Sequence, residues 1–264
     1  MSEFRPIYSA HAIERCAVSV AFDGALPDKM FAQLVVQFTA MLEQHGLKRD
    51  TGTPAYQLDQ STGRVLAVSP DYAPATFTSF DNAFEVVIMP NSIMFSTQRY
   101  VRWASFINAF HNITGAIVAH FENALNTGSL RLEYWDRFLW TGEWDQFDLR
   151  KLIKEETKLV SPTIFDADRE CHSHVGWFEY GIGERRLYNV NVDVLALISP
   201  HNPTRVDPSV GIYILVHDQA DKLNVKDYAK VGASERLEGL HKASKAQLSS
   251  LLVANLAKRI GLGG

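Results

Sequence analysis

Two stretches of the sequence carry apolar residues at helical spacing over many turns, and this feature constrains the fold more than any other. Residues 100–126 and 235–260 repeat apolar side chains three, four or seven positions apart, which places them on one face of an α-helix. Each stretch follows short segments of alternating apolar and polar residues, the pattern of β-strands. Because this order occurs twice, the sequence predicts two pseudo-repeated halves, at residues 1–127 and 128–264.

The strand patterns predict antiparallel sheets. Residues 84–89 and 93–97 flank a Pro-Asn-Ser turn and predict a hairpin. Further along, apolar residues alternate with Asn189, Asn191 and Asp193, so one face of that strand is apolar and the other polar. The apolar members are Tyr188, Val190, Val192 and Val194. We therefore predict an α+β fold in which antiparallel sheets are covered by long amphipathic helices.

Composition limits the classes of protein that need to be considered. The chain has 264 residues, 46% hydrophobic and 21% charged, which is typical of a globular protein that forms its core without a metal or disulfide. No cofactor is predicted. Cys16 and Cys171 lie far apart, the chain opens without a signal pattern, and no apolar run approaches the roughly 18–20 residues that a membrane span needs. These observations predict a cytoplasmic protein.

Charge and aromatic content favour a protein partner over nucleic acid. The 26 basic and 30 acidic residues give a net charge of −4, so no overall positive field attracts phosphate backbones. Trp135, Trp140 and Trp144 lie in an aromatic region rich in acidic residues. This pattern favours core packing or anchoring of a partner, either another protein or a second copy of the chain.

The densest group of potential metal ligands is Asp166, Asp168, Cys171, His172 and His174, of which Asp168 and the two histidines are the predicted metal ligands. On a strand, the two histidines point to one face and could share a zinc or iron ion with a carboxylate. A metal-dependent hydrolase or nuclease is therefore one hypothesis. The alternative interpretation is a histidine pair that begins a surface strand, since no further ligand stands at a standard spacing.

The polar strand face supplies a further hypothesis, a small-ligand sensor in which Asn189, Asn191 and Asp193 line a pocket. No phosphate-binding glycine loop, nucleophile elbow or H-E-x-x-H motif is present in the sequence, and no catalytic residue is predicted. The leading hypothesis is a non-enzymatic interaction or regulatory subunit of a bacterial multi-protein system.

Several segments together resemble a known family. They are residues 5–15, residues 99–106 with the sequence RYVRWASF, residues 130–134, the Val-Asn-Val-Asp strand at 190–193, and Leu-His at 240–241. The chain is similar to a sporadically distributed family of uncharacterised bacterial and archaeal proteins of similar length. The resemblance implies an antiparallel α+β protein. The patchy distribution of that family is typical of accessory genes such as defence or toxin–antitoxin modules.

Overall fold

The protein has a mixed α+β fold, with a mostly antiparallel sheet of ten strands and five helices among the residues described. The computed structural model describes residues 3–50, 56–58, 65–67, 74–167, 169–199, 202–221, 223–230 and 232–262. The α+β class that the sequence predicts is confirmed.

The elements follow one another in this order. The strands are β1 (Phe4–Pro6), β2 (Ile13–Phe22), β3 (Leu47–Arg49), β4 (Tyr56–Leu58), β5 (Val65–Ala67), β6 (Ala75–Ser79), β7 (Phe84–Met89), β8 (Ser92–Thr97), β9 (Thr127–Trp140), β10 (Cys171–Gly181), β11 (Glu184–Ser199) and β12 (Asn202–Ala220). The helices are α1 (Asp28–Gln44), α2 (Trp103–Glu122), α3 (Val225–Lys230), α4 (Ala233–Leu251) and α5 (Ala254–Arg259). Short 3-10 turns occupy Trp144–Gln146, Leu149–Lys151 and Pro162–Asp166.

The chain divides into two compact units, each built from separate segments. Unit 1 contains Met1–Cys16, Arg131–Asp221 and Val231–Gly264, and unit 2 contains Ala17–Leu130 and Lys222–Lys230. Strands β2 and β9 contribute residues to both units. The continuous division at residues 127 and 128 stays a prediction.

In unit 1, strands β10, β11, β12 and β9 are hydrogen-bonded in that order, and β1 pairs with the end of β9. Helix α4 packs on β12 and buries Leu237, Leu240 and Leu248. The apolar residues predicted for β11 lie on the buried face, together with every second residue of β12, namely Val210, Ile212, Ile214 and Val216. The predicted alternation is confirmed, and it gives this sheet one covered face and one polar face.

In unit 2, strands β2, β8, β7, β6 and β3 form the sheet. The predicted hairpin is present as β7 and β8, which pair antiparallel around the turn at residues 90 and 91. Helix α2 packs against this sheet through aromatic contacts. The ring of Phe121 stacks on Phe22 with centroids 4.6 Å apart, and Phe106 lies 5.5 Å from Phe95. Helix α2 starts after the predicted position because Arg102 has an extended backbone.

The prediction of one continuous helix over residues 235–260 is wrong. Leu252 and Val253 have ψ angles of 148° and 147°, so α4 ends at Leu251 and α5 begins at Ala254. At this break Leu252 forms an isolated β-bridge with Ile153, and the Val253 N–H donates to the Leu152 carbonyl at 2.9 Å. Backbone hydrogen bonds to a segment distant in sequence thus replace those of the helix.

Within the described part of the chain, every helix is too short or too polar to span a membrane.

Candidate functional site

The polar face of the unit 1 sheet brings together most of the residues that the sequence singles out. His172 lies opposite Asp193, and His174 lies opposite Asn191, across β10 and β11. Asn191 in turn lies opposite Tyr213 of β12. Residues directly opposite in an antiparallel pair point to the same face. The Trp135 ring of β9 lies 5.0 Å from the Tyr213 ring and extends this face. The predicted candidates that share it are His172, His174, Asn189, Asn191, Asp193 and Trp135.

One histidine of the pair, His172, contacts a carboxylate at the exposed side of the face. His172 Nδ1 lies 2.5 Å from Asp193 Oδ1, and both side chains are well exposed. The rings of His172 and His174 are 6.4 Å apart. No three His, Cys, Asp or Glu side chains within the described ranges are grouped closely enough to hold a metal ion. Asp168 lies outside the described residues, so the metal site stays a prediction.

Two asparagines carry unsatisfied acceptors in the middle of the face. The Oδ1 atoms of Asn189 and Asn191 are buried, and neither has a hydrogen-bond partner among the residues described. Nearly all buried polar atoms in folded proteins make a hydrogen bond, because an unpaired buried acceptor costs about 1–3 kcal/mol. Their position two residues apart on one strand directs both amides to the same region.

The β9 side of the face holds a paired carboxylate. The Tyr213 hydroxyl donates to Glu133 Oε1 at 2.5 Å, and Arg131 Nη2 lies 2.9 Å from the other oxygen. Burial, and then the hydrogen bond to Glu133, raise the pKa of Tyr213. The Arg15 guanidinium lies 5.2 Å from the Trp135 ring centroid, a cation–π contact. Glu133 is only 5% exposed, and the positive charge of Arg131 compensates its negative charge.

A glycine makes room for a half-buried arginine beside Asp193. Gly211 lies opposite Asp193, and a Cβ atom at Gly211 would lie only 3.1 Å from Arg137 Nη1. Arg137 Nε donates to Glu14 at 3.0 Å, and its Nη1 donates to Ser209 Oγ at 3.3 Å. Arg137 thus lies against the strand backbone in a position that any larger residue at 211 would disturb.

The side chains of the polar face can recognise a ligand or partner through hydrogen bonds and charge, and they are less suited to nucleophilic chemistry. The Cys171 thiol points to the covered face, and burial followed by the charge of Asp193 raises its pKa, which disfavours the reactive thiolate. Burial, followed by the positive charge of Arg131, lowers the pKa of His217 on the polar face to about 4. His217 is therefore neutral at physiological pH and acts as a hydrogen-bonding group rather than a cation.

The edge of this sheet carries exposed apolar residues that the sequence patterns above do not predict. β10 is the terminal strand of the sheet, and its turn to β11 presents Phe178, Tyr180 and Ile182, which are 45%, 78% and 106% exposed. Gly183 closes the turn with φ 77°. The sequence does contain a pattern that indicates this exposed group. A Gly-Ile-Gly turn places an isoleucine where polar residues normally occur, next to three aromatic residues.

The three predicted partner tryptophans do not form one surface. Trp140 is 2% exposed and packs on Phe4 at 4.9 Å, so it is a core residue. The prediction that Trp140 contacts a partner is corrected on this ground, because its indole is enclosed. Trp144 is half-buried, 5.4 Å from Phe147, and Trp135 lies on the polar face.

Comparison with known proteins adds no family to this description, since no protein-family model and no curated protein matches the chain.

Proposed function

We propose that this chain is a non-enzymatic interaction subunit of a bacterial multi-protein system, and that a partner protein docks on the outer edge of β10. The outer edge is residues 174–181. The observation that carries the proposal is the exposed apolar group at its end, formed by Phe178, Tyr180 and Ile182.

The backbone of this edge is suited to pairing with an added strand. β10 is eleven residues long and contains no lysine or proline, the residues with which proteins commonly protect an edge strand. Near its start, the Ser161 N–H donates to Ser173 Oγ at 2.8 Å, so a loop approaches that end of the strand. From residue 174 onward no strand among the described residues pairs with the outer side of β10. An extended peptide could therefore add a strand here through main-chain hydrogen bonds.

The side chains at the end of the edge supply affinity. Burying a large aromatic or branched side chain contributes about 1.5–3 kcal/mol, and aromatic residues are enriched among the residues that dominate binding energy. The Arg185 guanidinium lies 5.1 Å from the Phe178 ring centroid and Arg185 Nε donates to Gln219, which fixes a cation beside the apolar group. A partner segment with apolar residues followed by an acidic residue would match this arrangement.

We expect Tyr180→Asp combined with Ile182→Asp to weaken partner binding by about 100-fold or more, because it introduces charges that would be desolvated in the interface. The partner is first captured from lysate of the source cells with wild-type protein, then purified. Size-exclusion chromatography with light scattering and titration calorimetry measure the complex. Hydrogen exchange of residues 174–181 should slow on binding.

Val206→Asp is the matched control, because Val206 is 50% exposed on β12, away from this edge. A strictly monomeric chain with no partner, or a partner that binds both variants equally, would contradict the proposal. A dimer that dissociates only in the Tyr180 and Ile182 variant would identify a second copy as the partner.

A small-ligand sensor is the second candidate, favoured by the unsatisfied acceptors of Asn189 and Asn191. A ligand that presents N–H donors would satisfy both. In a thermal-shift screen of nucleotides and metabolites, we expect a hit to raise the melting temperature of wild type and to lose that effect in Asn189→Ala combined with Asn191→Ala. The exposed Asn108 gives the control Asn108→Ala. A hit that stabilises all three proteins alike would count against a site at these asparagines.

The remaining parts of the proposal, namely the biological role and the internal repeat, rest on the sequence. The resemblance of residues 99–106 and 190–193 to the sporadically distributed family supports a role as a cytoplasmic accessory protein in defence or toxin–antitoxin modules. The order of strands followed by a helix supports two pseudo-repeated halves with long amphipathic helices. If the chain is an enzyme, the alternative is a metal-dependent hydrolase or nuclease that uses Asp168, His172 and His174.

A further inference from the structure

We propose that a cavity of about 480 Å³ in unit 1 binds a small organic carboxylate with an apolar body. The cavity lies between strand β1, the turn Leu149–Lys151 and helix α5. It is lined by Glu3, Phe4, Lys151, Val253, Asn255, Leu256 and Arg259. It is separate from the edge of β10, and its role does not depend on the proposed partner.

The break between α4 and α5 builds one wall of this cavity. Because Val253 is extended and bonds to Leu152, α5 starts beside the Leu149–Lys151 turn. The apolar floor consists of the lining residues Phe4, Val253 and Leu256. Phe4 is fixed by the Trp140 ring at 4.9 Å. The volume falls within the range of roughly 300–1,000 Å³ typical of small-molecule sites.

The rim of the cavity carries an excess of positive charge. Lys151 Nζ lies 5.0 Å from the Trp140 ring centroid, and no carboxylate of the described residues lies within ion-pair distance of it. Arg259 Nη1 is 3.9 Å from Glu3 Oε2, a long ion pair, whereas Arg5 Nε holds the other Glu3 oxygen at 3.1 Å. Glu3 is shared between Arg5 and Arg259, and the two cations of the lining, Lys151 and Arg259, outnumber its one carboxylate.

These features select the class of ligand. A guanidinium and an ammonium group at one rim bind a carboxylate through charge-assisted hydrogen bonds. The apolar floor accepts a short alkyl chain or a ring, whose burial adds affinity in proportion to its area. Hexanoate has both parts and serves as the probe, and its neutral and cationic counterparts are hexan-1-ol and hexylammonium.

We expect titration calorimetry and ligand-observed NMR to detect hexanoate binding with a Kd of about 1 mM. Lys151→Met combined with Arg259→Gln should weaken binding at least about tenfold, whereas Glu3→Gln should tighten it severalfold by removing a competing carboxylate. Arg259→Lys, which keeps the charge, should retain most of the affinity. The control is Lys258→Met, which removes an exposed charge from the same helix outside the cavity and should leave the Kd unchanged.

Thermal melting of each variant establishes that it is folded. Three results would overturn the proposal: no hexanoate binding at about 10 mM, equal binding of hexan-1-ol or hexylammonium, or equal loss of affinity in Lys258→Met. If Lys151→Met combined with Arg259→Gln does not fold, the two single variants test the proposal. Glu3→Gln should tighten hexanoate binding, and Arg259→Gln should weaken it.

Discussion

Asp136→Asn is expected to stabilise this protein at alkaline pH and to leave its stability nearly unchanged below about pH 4. Asp136 lies on β9, facing the covered side of the unit 1 sheet, and is 2% exposed. Neither of its carboxylate oxygens has a hydrogen-bond partner among the described residues. A charged carboxylate in such a place opposes folding, because its lost hydration is not replaced.

The pKa of Asp136 gives the size and the direction of the effect. Burial, and then the negative charge of Glu14, raise this pKa from 3.8 to about 7. Because the folded state holds the proton more tightly than the unfolded state, folding is most favourable below about pH 4. That stability is lost as the pH rises from about 4 to about 7. One pKa unit corresponds to about 1.4 kcal/mol, so the full change is on the order of 4 kcal/mol.

Urea denaturation of wild type and Asp136→Asn at several pH values measures this dependence. The difference in unfolding free energy should grow by about 3 kcal/mol in favour of the variant between about pH 5 and pH 8. Asp145→Asn, at an exposed aspartate of the same unit, should show no such trend. If Asp136→Asn follows the wild-type pH profile or is less stable at pH 8, the carboxylate is not buried without partners as described.

The order of apolar and polar residues along the chain is enough to predict the strands whose buried side chains alternate with exposed ones. The strict alternation around Tyr188 and Val192 identifies the two faces of β11, and the Pro90-Asn91 turn identifies the β7–β8 hairpin. The polar face could be located in the same way, because Asn189, Asn191 and Asp193 must share a side of the strand.

Long-range contacts determine what the sequence could not reveal. Nothing near Leu252 signals the end of α4, since neither glycine nor proline is present there, and the break depends on a bridge to Ile153 about one hundred residues earlier. The burial of Asp136 was equally hidden, because an aspartate in an aromatic strand is normally expected on the solvent side. Trp140 lies in an aromatic and acidic stretch of sequence that is also typical of partner-binding surfaces. Only its packing on Phe4 and Phe147 assigns it to the core.

Asp218→Ala is expected to have the opposite effect to Asp136→Asn, although both aspartates are buried on the covered side of unit 1. Asp218 is 2% exposed and accepts two hydrogen bonds from Arg186, at 2.5 Å from Nε and 2.9 Å from Nη2. The hydrogen bonds to Asp218 raise the pKa of Arg186, so the guanidinium stays charged. Removing Asp218 leaves that charge half-buried without its bidentate partner, at a cost of about 3 kcal/mol.

A double-mutant cycle separates the pair from its surroundings. Asp218→Ala should lower the unfolding free energy by about 3 kcal/mol in urea denaturation, whereas Asp218→Leu combined with Arg186→Met should lie within about 1 kcal/mol of wild type. The exposed pair of Arg150 and Glu155 in the same unit, 3.1 Å apart, is the control. Glu155→Ala should change stability by less than about 1 kcal/mol. A double variant as unstable as Asp218→Ala would show that packing around β12, rather than an uncompensated charge, causes the loss.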